Sequence, residues 1–450
     1  MRRNKAIAGT VYRRGNRWAF MLDLGPDPLT GKRRQSAKSG FDTQAAARAA
    51  LVEANHQLAA GRHVRASKRT VREFFNEWLP TLVNDPSVKP TTEANYEDYA
   101  RAYVLPHIGD RPLQSIDPEV LTTLYQHLAR AGRRKADTNS VMYAYWKAKT
   151  EAGERIRPAD LTKIAQVTYS AAWNALRRYQ AGRIPKTNGD GLAPKTVRNV
   201  HMMLRRAFND AVAMQYISRN PATAVKAPSF RRKPHTTWRP EQLTRFLTEA
   251  KSERLYAMWV LFATTGMRRS EAVGAHRDAV DLDHLTIAVH DTRVVVRGRA
   301  QDSDGKTRTS RRILALDPAT AAVLHAHLEQ LAAERAEWGT SYQDHGKLFC
   351  WEDGRPIHPD TITEHFNRIV DRANLPPIEL HAVRHTYATT ALRAGINPKL
   401  VSARMGHSSV AFTLDTYTDS VPELDRTAAE QVSRLFFTLP EPTTNDPDQQ

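Results

Sequence analysis

Leu380-His381-Ala382-Val383-Arg384-His385-Thr386, followed by Gly406-His407 and then Asp415-Thr416-Tyr417, gathers a base, a guanidinium, a hydrogen-bond donor and a phenolic hydroxyl within about forty residues. His381 and Arg384 stand at i and i+3, on one face if the segment is helical. A packed neutral histidine and a solvated arginine would account for that pair in isolation. Its company changes the reading. Upstream, Thr265-Gly266-Met267-Arg268-Arg269-Ser270-Glu271 breaks at a glycine, offers Arg268, and sets Glu271 three residues on, where it can fix the guanidinium. Between the two, Lys306 occupies the polar stretch Asp302-Ser303-Asp304-Gly305-Lys306-Thr307, where two strands can be joined.

Such a set suits transfer of a phosphodiester, which needs an in-line nucleophile, neutralised phosphoryl charge and a protonated leaving oxygen. No acidic pair stands at a convincing metal-ligand spacing, so the charge must come from the chain's own cations. No metal or other cofactor is expected. Arginine fits this better than lysine, because its planar fork meets two phosphoryl oxygens at once.

Composition points the same way. Lys plus Arg number 66 against 48 Asp plus Glu, a formal charge of +18 over 450 residues. An excess of that size favours a polyanionic partner, nucleic acid first, although a basic ribosomal or membrane-surface protein can share it. The single cysteine, Cys350, excludes an intramolecular disulfide and a cysteine zinc cluster. No long apolar run exists, and Met1-Arg2-Arg3-Asn4-Lys5-Ala6 leads into charged sequence without an apolar block. A cytoplasmic protein with no membrane partner is expected.

A chain of this length exceeds one core. Residues 1–65 read as a small DNA-binding domain: eleven Lys or Arg stand against four acidic residues in the first sixty. Gly9-Thr10-Val11-Tyr12 and the alternating Trp18, Phe20, Leu22 and Leu24 read as strands, and Thr43 to Ala60 as a helix. A three-stranded sheet leaning on one helix, with Arg13, Arg14, Arg17, Lys32, Arg33 and Arg34 on its open face, suits insertion into a DNA groove. Residues 66–228 read as an all-helical domain. Thr70 to Glu73 has capping-box spacing, Thr91–Val104 and Asp117–Ala131 follow, and a helix runs from Pro194 to Ile217. At about 134–190 the pattern breaks. Leu161-Thr162-Lys163-Ile164-Ala165 and Ser170 to Arg178 loosely match a helix-turn-helix, but the spacing is about one residue short and the turn glycine is missing. A surface insertion of ordinary helices is the preferred reading. After a linker at 229–240, residues 241–438 form a mixed α+β domain with helices at Tyr256–Thr265, Ala319–Trp338 and Thr361–Asn374. Its strands are expected at Leu285–Val296 and Ser310–Leu316. A polar tail, 439–450, is expected to be disordered.

The active-site set resembles that of the tyrosine recombinases, the phage-integrase family. Arg268, Lys306, His381, Arg384, His407 and Tyr417 match its site positions in type and order, and the wording Thr-Gly-Met-Arg-Arg-Ser-Glu, Leu-His-Ala-Val-Arg-His-Thr-Tyr and Met-Gly-His-Ser-Ser matches too. Residues 1–60 resemble the arm-binding domain of integrases from mobile elements. Residues 70–132 and 191–228 resemble the helical core-binding domain, with Lys195 and Arg198 as DNA contacts. The segment 134–190 departs from the pattern.

The resemblance implies a multidomain, mainly α fold with small β-sheets, and an integrase acting on double-stranded attachment sites as a homotetramer, with a small excision factor as a further partner. Tyr417 would attack the phosphate to give a 3′-phosphotyrosine. His381 would take its proton, Arg268 and Arg384 would bracket the non-bridging oxygens, His407 would donate a hydrogen bond, and Lys306 would protonate the departing 5′-oxygen, with Glu271 and His385 in support. Lys347 rivals Lys306; Tyr342 and Tyr387 rival Tyr417, but neither follows a Gly-His at the proper interval. A helix after Tyr417, with Leu424, Ala428, Val432, Leu435 and Phe436, would dock on a neighbouring subunit. A dimer resolvase or a nicking-closing topoisomerase would share the chemistry, and a regulator on the same fold would bind DNA without it.

Overall fold

The computed structural model describes residues 9–26, 31–59, 64, 66–133, 137–180, 182–185, 190–230, 236–304, 311–407 and 409–417. The chain divides into two compact units, residues 1–231 and 232–450.

The first unit opens with strands β1 (Gly9–Arg14), β2 (Arg17–Pro26) and β3 (Arg33–Phe41), antiparallel in that order, and helix α1 (Gln44–Ala59). Phe20 and Leu22 on one sheet face bury against Leu51 and Ala54 of the helix. Strand alternation then places Arg14 and Arg17, which face each other across the hairpin, on the opposite side, and Arg13, paired with Trp18, on the same side as Phe20. The six basic residues expected on one open face are therefore divided between both, because neighbours along a strand cannot share a face.

Helices α2 (Val71–Thr81), α3 (Pro90–Tyr99), α4 (Leu105–Ile108) and α5 (Pro118–Ala131) follow. The capping box is present: the Thr70 hydroxyl accepts from the Glu73 amide at 3.2 Å, and the Thr70 amide donates to the Glu73 carboxylate at 2.8 Å. The stretch expected as one helix to Val104 changes after Tyr99 into a π-helical turn, Ala100–Val104. Three helices of the 134–190 segment come next, α6 (Thr138–Glu151), α7 (Pro158–Ala165) and α8 (Tyr169–Gln180), and then α9 (Pro194–Ala213). The last ends four residues before Ile217, where Gln215 turns left-handed at φ 59°. Phe74, Phe75 and Trp78 of α2 pack with Leu124 and Leu128 of α5 and with Leu204 and Phe208 of α9. The helices α6–α8 keep a core of their own, built on Met142, Leu161, Ala172, Leu176 and Tyr179.

In the second unit come α10 (Pro240–Ala250), α11 (Tyr256–Thr265) and α12 (Arg269–Gly274), then β4 (Val280–Asp281), β5 (Thr286–Val289), β6 (Asp291–Val296), β7 (Arg299–Asp304) and β8 (Arg312–Ala315). Helices α13 (Pro318–Trp338), α14 (Pro359–Arg372), α15 (Leu380–Arg393), α16 (Pro398–Met405) and α17 (Val410–Tyr417) complete it. The architecture is the expected one, mainly helical with small antiparallel sheets, but the strands differ in detail. The expected strand Leu285–Val296 is two, β5 in a sheet ordered β4-β5-β8 and β6 in a separate pair with β7. Strand β7 was not anticipated. It forms because Arg297 and Gly298, at φ 49° and 77°, close a two-residue hairpin, and Arg293 then pairs with Asp302 at 2.8 Å. The stretch Asp302–Thr307 thus begins inside β7, whose partner is β6, while β8 pairs with β5. Lys306, the expected helix beyond Tyr417, the tail 439–450 and part of the 229–240 linker lie outside the described residues.

Trp238, Phe246, Trp259 and Phe366 form an aromatic cluster at the centre of this unit, with ring centroids 5.2 to 6.2 Å from Phe366 to the other three. Phe366→Ala is expected to cost about 3–5 kcal/mol of the unit's stability in chemical denaturation, the transfer loss plus the cavity left behind; a loss under about 1 kcal/mol would contradict this packing.

Candidate active site

Helix α11 is apolar on all sides and ends on Gly266 in the left-handed conformation, φ 64°. A side chain there would lie 2.6 Å from the Tyr387 ring, so both the backbone angle and the close approach require glycine. Two residues on, Arg268 precedes α12. Its amide donates to Glu271 Oε2 at 2.9 Å, its Nη1 to Glu271 Oε1 at 2.7 Å, and its Nη2 to the Gly406 carbonyl at 2.9 Å. Arg269, its neighbour, turns away to Asp360 and Thr363 of α14.

Glu271 is only 3% exposed, and a second guanidinium reaches it: Arg312 at the start of β8 donates to both carboxylate oxygens, at 3.0 and 2.8 Å. Arg312 also donates from Nε to the Arg404 carbonyl at 2.6 Å. Burial opposes ionisation of Glu271, but the hydrogen bonds and charge of Arg312, followed by those of Arg268, outweigh it and pull its pKa to about 2.

Arg384, on α15, is buried. It donates to the Gly266 carbonyl at 2.6 Å and to the Met405 carbonyl at 2.5 Å. These are the C-terminal ends of α11 and α16, where helix dipoles favour a cation. Beyond α16, Gly406 is left-handed at φ 63° and turns the chain so that His407 reaches Thr413 of α17, Nδ1 to Oγ1 at 2.7 Å, with its ring edge-on to Phe412. Burial, then the charges of Arg384, Arg268 and Arg312 and of His381, push His407 down to about 4. The three guanidiniums meet the carbonyls of residues 404–406 immediately before His407, and their charge, added to burial, favours its neutral form. His381 is exposed one turn before His385 on α15, their rings perpendicular with centroids 5.0 Å apart.

The structure therefore brings together Arg268, Glu271, Arg384 and His407, and sets the His385 ring edge-on to His381. Tyr417 is the last residue of α17, the helix that Thr413 ties to His407; its side chain and all of Lys306 lie outside the description. The rivals are otherwise engaged. Lys347 is buried, its Nζ 2.9 Å from His276 Nε2 and 3.2 Å from Asp302. Tyr387 accepts from Arg404, and Tyr342 is pushed up to about 12 by burial and its contact with Cys350. Arg312 was missed in the sequence. Strand alternation from the buried Leu314 assigns it to the inner face, the one available signal, but the apolar Ile313 beside it suggests the reverse register. Ile313 is 72% exposed.

Of the expected DNA contacts, Lys195 is exposed on the first turn of α9 and Arg198 reaches the Pro228 carbonyl at 3.5 Å. Arg33 pairs with Asp23 at 2.6 Å. Among the described residues no group of three His, Cys, Asp or Glu could hold a metal ion, and no helix is long and apolar enough to cross a membrane.

Known proteins match the chain in three consecutive parts. Residues 10–58 match the Arm DNA-binding domain, residues 70–129 the phage integrase N-terminal SAM-like domain, and residues 237–423 the phage integrase family. An integrase of Streptomyces ambofaciens is 24% identical over 97% of this chain and 98% of its own. A XerC-like tyrosine recombinase of Caldanaerobacter subterraneus is 27% identical over 55% of this chain and 68% of its own. Among solved structures, the Tn1549 transposon integrase in complex with a circular intermediate DNA superposes with a TM-score of 0.55 at 19% identity, over 81% of this chain and 99% of that one. The fold is that of the DNA breaking and rejoining enzymes. The chain belongs to the phage integrase family, the site-specific tyrosine recombinases.

A carboxyl whose native pKa lies below its unfolded value stabilises the fold above the unfolded value, and that contribution is lost as pH falls through the native one. For Glu271 the window runs from about 4.5 down to about 2. Glu271→Gln is expected to lower stability at neutral pH by about 3–5 kcal/mol, since it leaves Arg312 and Arg268 without their shared anion. It should also flatten the dependence of the urea midpoint on pH within that window. An unchanged slope would contradict the assignment.

Proposed function

We propose that the chain is the integrase of a mobile element, joining and separating double-stranded attachment sites through a 3′-phosphotyrosine intermediate. The observation that carries this reading is the gathering of Arg268, Arg384 and Arg312 on the carbonyls of Gly406, Met405 and Arg404, directly before His407, which is tied to the helix that ends at Tyr417. Arginines held by backbone carbonyls and one buried carboxylate are fixed before substrate arrives, which is what stabilisation of developing phosphoryl charge requires.

In the cleavage step the Tyr417 oxygen attacks the scissile phosphorus and its proton passes to His381. Arg268 and Arg384 hold the non-bridging oxygens. His407, neutral and anchored through Nδ1, offers Nε2 as a hydrogen-bond donor when Thr413 supplies the other hydrogen bond. The bond from phosphorus to the 5′-oxygen breaks, and Lys306 gives that oxygen its proton. Rejoining is the reverse, with a 5′-hydroxyl attacking the phosphotyrosine, so no nucleotide hydrolysis is needed. Glu271 fixes Arg268, and His385 positions His381. Four protomers act on paired sites, and a small excision factor sets direction. The match of residues 10–58 to an arm-binding domain supports an integrase over a dimer resolvase. The basic residues Arg13, Arg14, Arg17, Lys32, Arg33 and Arg34 serve that arm contact, and Lys195 and Arg198 serve the core-site contact.

On a nicked duplex that traps the cleaved strand, the chain is expected to form a covalent adduct that Tyr417→Phe abolishes while DNA binding persists. An adduct that survives in Tyr417→Phe would overturn the nucleophile. Arg384→Lys should slow adduct formation by about a hundredfold or more, because one ammonium cannot hold two carbonyls and a phosphate in a fixed plane.

A further inference from the structure

We propose that helices α6–α8 form a helix-turn-helix unit that reads double-stranded DNA in the major groove, a DNA contact additional to those of the arm and core-binding domains. The proposal goes beyond the recombination reading and does not depend on the chemistry at Tyr417.

Three residues, 166–168, separate α7 from α8, the length of a helix-turn-helix connection. The glycine whose absence argued against that motif in the sequence is replaced by Gln166, which adopts the left-handed conformation itself, at φ 51° and ψ 46°. Thr168 then starts α8, its hydroxyl accepting from the Ala171 amide at 3.3 Å. The small residues Ala165, Ala172 and Ala175 let α7, α8 and α6 close on one another, so the unit has a core independent of the surrounding helices.

That core divides α8 cleanly. Ala172, Ala175, Leu176 and Tyr179 face inward, while Tyr169, Ser170, Trp173, Asn174 and Arg177 form one exposed face. Trp173 is 44% and Tyr169 60% exposed, more than solubility favours for rings of that size. The Arg177 guanidinium lies over the Trp173 ring, 4.8 Å from its centroid. No acidic residue occurs on α8. Elsewhere in the unit Asp137 caps α6, Asp160 accepts the amide that begins α7, Glu154 is held by Lys149 at 2.8 Å and Glu151 lies 3.8 Å from Lys147. Over residues 134–190, eleven Lys or Arg stand against five Asp or Glu. The exposed face is thus aromatic and hydrogen-bonding in its N-terminal half, where a recognition helix meets base edges, and basic in its C-terminal half, where it meets phosphates. Asn174 can engage an adenine edge with two hydrogen bonds. A protein partner would account for the exposed rings but not for the one-signed charge.

The test is selection by the full chain from a pool of random-sequence duplexes of about 25 base pairs, long enough for a recognition helix and its flanking phosphates. It is run for the natural sequence and for the triple variant Trp173→Ala, Asn174→Ala, Arg177→Ala. The natural chain is expected to enrich a motif that the variant loses, with affinity for a duplex of that motif falling about tenfold or more. Adduct formation on the nicked duplex should be unchanged. All three side chains are exposed, so the circular dichroism spectrum and melting temperature should match; if they do not, Asn174→Ala alone must still relax the preference at one position. Identical enriched motifs and affinities in the folded variant overturn the proposal, and so does a loss seen only with random-sequence RNA.

Discussion

The buried carboxylate of Glu271 is the interaction on which the catalytic unit depends. One side chain ties Arg268, at the start of α12, to Arg312, at the start of β8, and through them reaches the Gly406 and Arg404 carbonyls around the end of α16. Three segments far apart in sequence are held at one point. Two arginines share one anion, so the cluster keeps a net positive charge after its internal pairing is complete. Positive charge that is fixed and not self-neutralised is what a phosphodiester needs to find.

Arg384 reaches the same end differently. Its hydrogen bonds to Gly266 and Met405 use carbonyls at helix C-termini, which satisfy the guanidinium without cancelling its charge. Both helices end in left-handed glycines, Gly266 and Gly406, and these turns also aim Arg268 and His407. The same backbone feature therefore anchors Arg384 and aims its neighbours. His407 follows from the same crowding: its burial first, and then these charges, disfavour the protonated ring. The energetic cost of crowding Arg268 and Arg312 is offset by Glu271.

The arginines and histidines of this site were legible because their types suit phosphoryl transfer and their order resembles that of the phage-integrase family. Arg268, Arg384 and His407 come together as that order implies, and the Gly-Met-Arg break and the Gly-His turn are real chain reversals. Arg312 was not legible. It sits on a strand where an apolar Ile313 faces solvent and the cation faces inward, the opposite of the hydrophobic pattern, and Glu271 and the Arg404 carbonyl, both distant in sequence, hold that arrangement. Strand β7 escaped for a related reason: Arg299-Ala300-Gln301-Asp302-Ser303-Asp304 has no apolar alternation, and its pairing rests on the Arg297-Gly298 turn and the Arg293 to Asp302 contact. In the 134–190 segment the missing glycine does not prevent a sharp turn, since Gln166 takes the left-handed angle that glycine usually supplies.

The gathering of Arg268, Arg384 and Arg312 on the carbonyls just before His407 is the centre of the account, and an NMR titration of the His407 imidazole in the DNA-free chain measures its effect most directly. The account predicts a neutral ring down through the usual histidine range, with a midpoint near 4, rising when a phosphodiester duplex is added. A midpoint at or above the ordinary value of about 6.5 in the free chain would contradict it, because burial and the nearby cations both disfavour the protonated ring.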